Sequence, residues 1–329
     1  MRTRILLFGA SAFLSGYTMA QGCSDAGVCS AGPIGQLQLW QDSTADVVDY
    51  RHYAKVLYSY AIGEQGVIIM QVQPELSIGI TDRFSLQMRV PYLSANGNLG
   101  DNSGIGDMVA SASYAFIKGE DRNFTGILGL RLPTGKSAPT RIEQTTFGSN
   151  ARPLPMPYQT GLGTLDLLLG AQFRKGPWSV ALAYQHVLQQ DNQNTFLHSS
   201  WSGVPAALGY FESFSLERAN DAVVRVQYTY GCGRLALQPG LLAIQHLGKD
   251  SRLERIGEPI DLMGSYMFER RDVDGSEGLT LNITADLRYK IAERWAAEVL
   301  FGTPVITREV RPDGLTRSLV TGFGLRYRF

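Results

Sequence analysis

Twelve charged residues stand at alternate positions within otherwise oily runs: Lys55, Glu75, Arg89, Asp107, Arg131, Asp166, Arg225, Asp286, Arg288, Glu298, Arg326 and Arg328. Both signs occur along the set. Such a series either lines a narrow polar path with mixed charge and no strong ion selectivity, or pairs internally and holds a fold in shape. Catalytic chemistry finds less material. His52, His186, His198 and His246 are scattered among many serines, with no G-x-S-x-G elbow and no metal-ligand spacing. The sequence therefore predicts no enzyme, no cofactor and no metal.

These charges need an element of period two to carry them. In Thr316 to Phe329, Leu319, Phe323, Leu325, Tyr327 and Phe329 fall at one parity and Ser318, Gly322, Gly324, Arg326 and Arg328 at the other. That is a strand with an oily face and a wet face. The same alternation marks His52–Ile62, Met70–Ile80, Phe84–Val90, Asp107–Phe116, Phe124–Leu132, Leu165–Phe173, Trp178–Gln185, Ala222–Tyr230, Leu279–Tyr289 and Trp295–Gly302. Arg234–Leu247 is less regular, being interrupted by Pro239-Gly240. About twelve strands result, each near the roughly 9–11 residues that cross a bilayer at barrel tilt. Asn96–Gly104 reads as a glycine and asparagine loop.

The predicted fold is all-β, a transmembrane antiparallel up-and-down β-barrel over residues 52–329. Tyr327 and Phe329 put aromatic groups on the oily side of the last strand, where they would act as an assembly signal for the barrel-assembly machinery. A soluble β-sandwich also alternates, but it rarely sustains so many hairpins with aromatic strand ends.

Composition agrees. Formal charge is zero, charged residues are 18%, and mean hydropathy is -0.08, which gives no electrostatic reason for nucleic acid and no material for a bundle of membrane helices. Residues 1–20 carry Arg2, Arg4, an apolar run and Thr18-Met19-Ala20, the pattern of a signal peptide. Residues 21–51 read as a periplasmic lead-in or plug segment. Cys23 and Cys29 would there close a small disulfide loop in an oxidising compartment or remain free thiols. Cys232 is left over in a turn. The expected location is the outer membrane of a Gram-negative bacterium, with its lipid as a partner.

Three long loops carry apolar groups: Phe147, Pro153, Pro155, Met156 and Tyr158; Phe196, Trp201, Tyr210, Phe211 and Phe214; Ile260, Leu262, Met263, Tyr266 and Phe268. They form either an entrance for apolar ligands or the loops' own packing.

The segments GITDRFSLQMRVPY, SGIGDMVASASYAF, LGLRLPTGK and YQTGLGTLDLLLGAQF follow one another between Gly79 and Phe173. In that order they resemble the family of outer-membrane channels named for the meta-pathway of phenol degradation. Gly104, Gly106, Asp107, Pro133, Thr134, Gly135, Gly161 and Gly163 are the matching positions. The resemblance implies passive uptake of small, often aromatic or hydrophobic compounds. The glycines would serve architecture, marking strand entry and close backbone approach. The expectation is thus a barrel channel or transporter for a small molecule. A structural or adhesion barrel with partner-binding loops is the alternative, and an outer-membrane hydrolase a more distant one.

Overall fold

Alternation becomes an inside and an outside once the first strand is paired on both edges. β1 (Tyr53–Gly63) pairs antiparallel with β2 (Ile68–Gly79) on one side and with β19 (Arg317–Arg328) on the other. The sheet is therefore closed on itself, as a wall of strands in lipid requires. The computed structural model describes residues 52–119, 121–145, 148–257, 266–314 and 317–329. The expected signal peptide, the expected lead-in or plug segment over 21–51, Cys23 and Cys29, and Phe147, Ile260, Leu262 and Met263 lie outside the described residues.

Between those strands run β3 (Phe84–Arg89), β4 (Tyr92–Gly97), β5 (Gly100–Ile105), β6 (Met108–Lys118), β7 (Arg122–Leu132), β10 (Thr164–Lys175) and β11 (Trp178–Gln190). Then come β12 (Asp221–Tyr228), β13 (Tyr230–Cys232), β14 (Leu235–His246), β17 (Gly278–Lys290) and β18 (Trp295–Ile306). β4 extends β3, β5 leads into β6, and β13 extends β12, so the wall has twelve staves, as the alternation predicts. Two hairpins stand apart from the wall: β8 (Thr140–Thr145) with β9 (Gly148–Pro153), and β15 (Ser251–Ile256) with β16 (Met267–Asp272).

Proline sets the interruptions. Pro239 offers no N–H, and it faces the gap between β12 and β13; β14 nevertheless continues its ladder to β17 through Pro239 and Ala285. Pro91 likewise separates β3 from β4.

One expectation is corrected here. Asn96–Gly104 is not a loop but most of the β4–β5 hairpin, paired from Tyr92 with Ile105 to Gly97 with Gly100. Its glycines and asparagines obscured the period without preventing the ladder. Two of the long loops likewise contain the β8–β9 and β15–β16 hairpins.

Burial is inverted relative to a soluble protein. Val56, Val72, Leu86, Leu128, Leu182, Val224, Leu241, Ile283 and Phe323 are exposed, while Glu75, Arg131, Asp166, Arg225, Asp286 and Glu298 are buried. An apolar outer face and polar interior are what a bilayer selects. The end with short turns also carries aromatic pairs: Trp178 against Tyr228 at 4.9 Å, Trp295 against Tyr327 at 4.8 Å, and Tyr114 against Phe116 at 5.1 Å. They lie where an interfacial girdle belongs. Cys232 is an exposed free thiol at this end.

Leu128 is 54% exposed near the middle of β7. Leu128→Arg should lower folding stability in phospholipid vesicles by about 2–4 kcal/mol, measured by denaturant titration. Unchanged stability would mean that this face does not meet lipid.

Candidate functional site

Six of the twelve charged residues form one connected network on the inner wall. The Glu75 carboxylate of β2 takes Arg89 Nε from β3 at 3.0 Å and Lys55 Nζ from β1 at 3.2 Å. Tyr53 donates to it at 2.5 Å and Gln87 at 2.7 Å. Lys55 also lies 3.7 Å from Glu298 on β18, which receives Arg288 of β17 at 3.0 Å and Arg326 of β19 at 2.9 Å. Arg326 stacks over the Tyr53 ring, 4.4 Å from its centroid. The chain Arg89, Glu75, Lys55, Glu298, Arg288 and Arg326 thus ties six strands across the closure of the barrel.

Two further pairs sit on the remaining wall. Arg131 meets Asp166, which also accepts from Gln185 at 2.8 Å. Arg225 of β12 reaches past β14 to Asp286 of β17 at 2.5 Å, where Gln227 also donates at 2.9 Å. Between these pairs lies one buried apolar cluster, Val109, Ile127, Leu168, Ala181, Ala183, Val223 and Leu242, flanked by the buried polar side chains Ser111, Gln172, Gln185, Gln227 and Gln238. The interior therefore has two sectors. Strands β17, β18, β19, β1, β2 and β3 carry the connected charge network, and β6, β7, β10, β11, β12 and β14 carry the apolar cluster together with Arg131, Asp166 and Arg225.

Two predicted lumen residues do other work. Arg328 donates to the Glu293 carbonyl in the β17–β18 turn, so it sits at the rim instead of in the network. Asp107 accepts the N–H groups of Gly135 at 3.1 Å and Leu162 at 2.8 Å. Burial raises its pKa, opposed by Arg131 and these two donors.

Asp107 marks the point where the four sequence motifs converge. The Thr134 hydroxyl donates to the Gly106 carbonyl at 2.7 Å and accepts the Met108 N–H at 3.0 Å. Gly135 and Gly161 pass so closely that a Cβ on Gly161 would lie 2.4 Å from the Asp107 carboxylate and 2.6 Å from Gly135 Cα. Gly163 takes φ +69, and a Cβ there would meet the Asp191 carbonyl at 2.4 Å. The matching glycines are thus the contact surfaces of three crossing segments, and architecture explains them.

Above this node the loops fold over the mouth. Tyr158, Phe196, Trp201 and Tyr210 pack with Leu99 and Leu154 against Ala61, Val67, Ile69 and Ala95 of the wall. Three polar groups of its aromatic side chains find partners nearby. Trp201 Nε1 donates to the Pro153 carbonyl at 2.6 Å, Tyr210 donates to Asn98 at 2.5 Å, and Tyr158 accepts the Leu99 N–H at 3.1 Å. The apolar loop residues at these positions are the loops' own packing. In the third loop, Tyr266 is half-buried and stacks with Arg255, 4.5 Å from its ring centroid.

The alternation pattern did not single out a cluster at the same end made of Arg218, Asp221, His246, Asp250, Arg308 and Asp313. Asp221 opens β12 and His246 ends β14, whereas Arg218, Asp250, Arg308 and Asp313 lie in the connections, where no period marks them. The other histidines are placed elsewhere: His198 contacts the Tyr210 carbonyl at 2.9 Å, and His186 stacks on Tyr184 with centroids 6.1 Å apart. Beside the cluster, Glu64 in the β1–β2 turn is half-buried. Burial pushes its pKa up to about 7, with Arg311 opposing and Asp313 adding to the rise.

No family model and no curated protein sequence matches the chain. In fold it is similar to an outer membrane channel from Pseudomonas putida F1, at TM-score 0.53 and 16% identity over 88% of this chain and 100% of that one. The KdgM porin, at TM-score 0.41 and 12% identity, covers 84% of this chain and 99% of its own. The NanC porin, at TM-score 0.45 and 8% identity, covers 84% and 100%.

Gly161→Ala should destabilise the barrel by about 1–3 kcal/mol or more, because backbone and a buried carboxylate block the new methyl. Gly302→Ala, where a Cβ meets nothing within 4 Å, is the control. Denaturant titration of both variants separates them, and equal effects would remove the crossing from the account.

Glu64 gives a pH signature. Its pKa lies above the usual 4.5 in the fold, so folding favours the neutral acid, and stability falls as pH rises from about 4.5 through about 7. Glu64→Gln should therefore raise stability at about pH 8 and leave it unchanged at about pH 4. A variant less stable at the higher pH would reverse the sign.

Proposed function

We propose that the protein is an outer-membrane channel for passive passage of a small molecule. The observation that carries this reading is the closed barrel of twelve staves with an apolar outside and a charged inner wall. About eight strands enclose an interior that side chains fill, and about 16–18 leave an open aqueous channel. Twelve fall between, consistent with a path narrowed by side chains.

The path runs along the charged sector, and its ends follow from the turns. Short turns face the periplasm and longer loops the outside, so the Tyr158, Trp201 and Tyr210 cluster covers the outer mouth. The inner residues Lys55, Glu75, Arg89, Arg131, Asp166, Arg225, Asp286, Arg288, Glu298 and Arg326 are the selectivity candidates.

The solute would be small and partly apolar, in line with the family resemblance to phenol-degradation channels. The apolar sector around Ile127, Leu168 and Leu242 supports this. Lipid surrounds the barrel, and Tyr327 and Phe329 of the closing strand are the proposed contact for the assembly machinery.

A second reading, a structural barrel with partner-binding loops, is favoured by one observation. The charges of the network are mutually paired and shielded from solvent, and the two outer hairpins expose Ile142, Met267 and Phe268.

Single-channel recording of the refolded chain in planar bilayers tests the choice. Discrete current steps are expected, and Arg326→Ala should change their size more than it changes insertion. A folded protein that inserts and stays silent under all conditions would leave the structural reading.

A further inference from the structure

The cluster at the loop end is a closed ring of alternating charge. His246 Nδ1 stands 2.6 Å from Asp221 Oδ1, and Nε2 stands 2.8 Å from Asp250 Oδ1. From Asp221 the ring passes to Arg218 at 3.3 Å and from Arg218 to Asp313 at 3.3 Å. Asp313 meets Arg308 at 2.8 Å, and Arg308 returns to Asp250 at 3.8 Å. All six side chains are buried.

Hydrogen bonding fixes the charge of the histidine. An ionised carboxylate only accepts, so a ring nitrogen facing one must carry a proton. Both nitrogens of His246 face carboxylates, so the imidazole is doubly protonated. The ring then holds three cations and three anions and is neutral. Loss of one imidazolium proton would set a lone pair against a carboxylate and leave a net negative charge in a buried site, a costly arrangement. Arg308 and Arg218 hold the Asp313 carboxyl below the usual range against the effect of burial, so this member of the ring stays ionised well into acid. The field around the ring also includes Asp166, acting on Arg218, and Glu64 and Arg311 beside Asp313.

The ring joins segments that close the mouth. Arg218 belongs to the β11–β12 connection, and Asp221 begins β12. His246 ends β14, Asp250 follows it, and Arg308 and Asp313 belong to the β18–β19 connection. Backbone bonds tighten the clamp: Ala219 N–H donates to Asp250 at 3.1 Å, and Arg308 donates to the Ser276 carbonyl at 2.8 Å. The β18–β19 connection in turn leans on the mouth, since a Cβ on Gly314 would lie 2.6 Å from Met156 Cβ. Met156 packs with Leu162 and Leu216 from the neighbouring loops.

We propose that this ring is a proton-operated latch on the mouth, holding the loops down while His246 is an imidazolium and releasing them when it loses a proton in alkaline medium. Its role as a gate rests on the channel reading. Its role as a clamp does not.

The test uses the full chain and two independent readouts between about pH 7 and about pH 10, a range set by the two carboxylates that retain the histidine proton. Current recorded in planar bilayers reports the gate. Side-chain nitrogen spectra of His246, with amide exchange of residues 307–314 corrected for base catalysis, report the clamp.

The expected result is two ring N–H groups at neutral pH, then faster exchange and several-fold longer open times at the alkaline end. His246→Gln, which cannot titrate, should show long open times with no pH dependence. A neutral imidazole at about pH 7, or exchange and current that stay flat over the range, would overturn the latch. Faster alkaline exchange with no current at any pH would instead remove the channel reading and keep the clamp. If His246→Gln fails to insert, the wild-type titration decides alone.

Discussion

The shared carboxylates Glu75 and Glu298, bridged by Lys55, are the interaction on which the rest of the barrel depends. They lie where the first and last strands meet, which is also where a sheet must be closed for the backbone to survive in lipid. A buried ion is costly alone and tolerable only when paired and hydrogen-bonded. Each carboxylate here has at least two cations within 4 Å. Closure and charge therefore support one another: backbone pairing brings β1 and β19 together, and the network ties β3 to β17 across that seam.

The division of the interior follows from the same constraint. Charges need opposite charges within reach, so they collect on the seam, where neighbouring strands all supply them. The opposite wall pairs Arg131 with Asp166 and Arg225 with Asp286 across to β17, and its other inward positions mix Ile127, Leu168, Val223 and Leu242 with the buried polar side chains Ser111, Gln172, Gln185, Gln227 and Gln238. The loop end uses different physics. Aromatic packing of Tyr158, Trp201 and Tyr210 and a neutral ring around His246 hold the loops over the mouth. The wall is specified by parity and the cover by side-chain fit.

Much of the wall was legible in the sequence. A period of two in runs such as Phe323 to Phe329 assigns each side chain a face, and that alone put Glu75, Arg225 and Glu298 inside. Partnership was not legible, because register depends on turn lengths and shear: nothing local joins Arg225 to Asp286. Asn96–Gly104 was misread because glycine and asparagine hide the period of a strand whose ladder is set by its neighbours. The bonds that Asp107 makes were not legible, because its donors, Gly135 and Leu162, lie far along the chain. The ring around His246 was not legible as a unit, since Asp221 and His246 lie at strand ends and the other four members come from connections with no period.

The most direct test of the account is the coupling between Lys55 and Glu298, since Lys55 is a cation lying within 4 Å of both carboxylates of the seam. A double-mutant cycle of Lys55→Met and Glu298→Gln, read by reversible unfolding in phospholipid vesicles, measures it. The account predicts a coupling of about 0.5–3 kcal/mol, with each single variant less stable than the wild type. Additive effects, with no coupling, would contradict a seam held by a shared charge network.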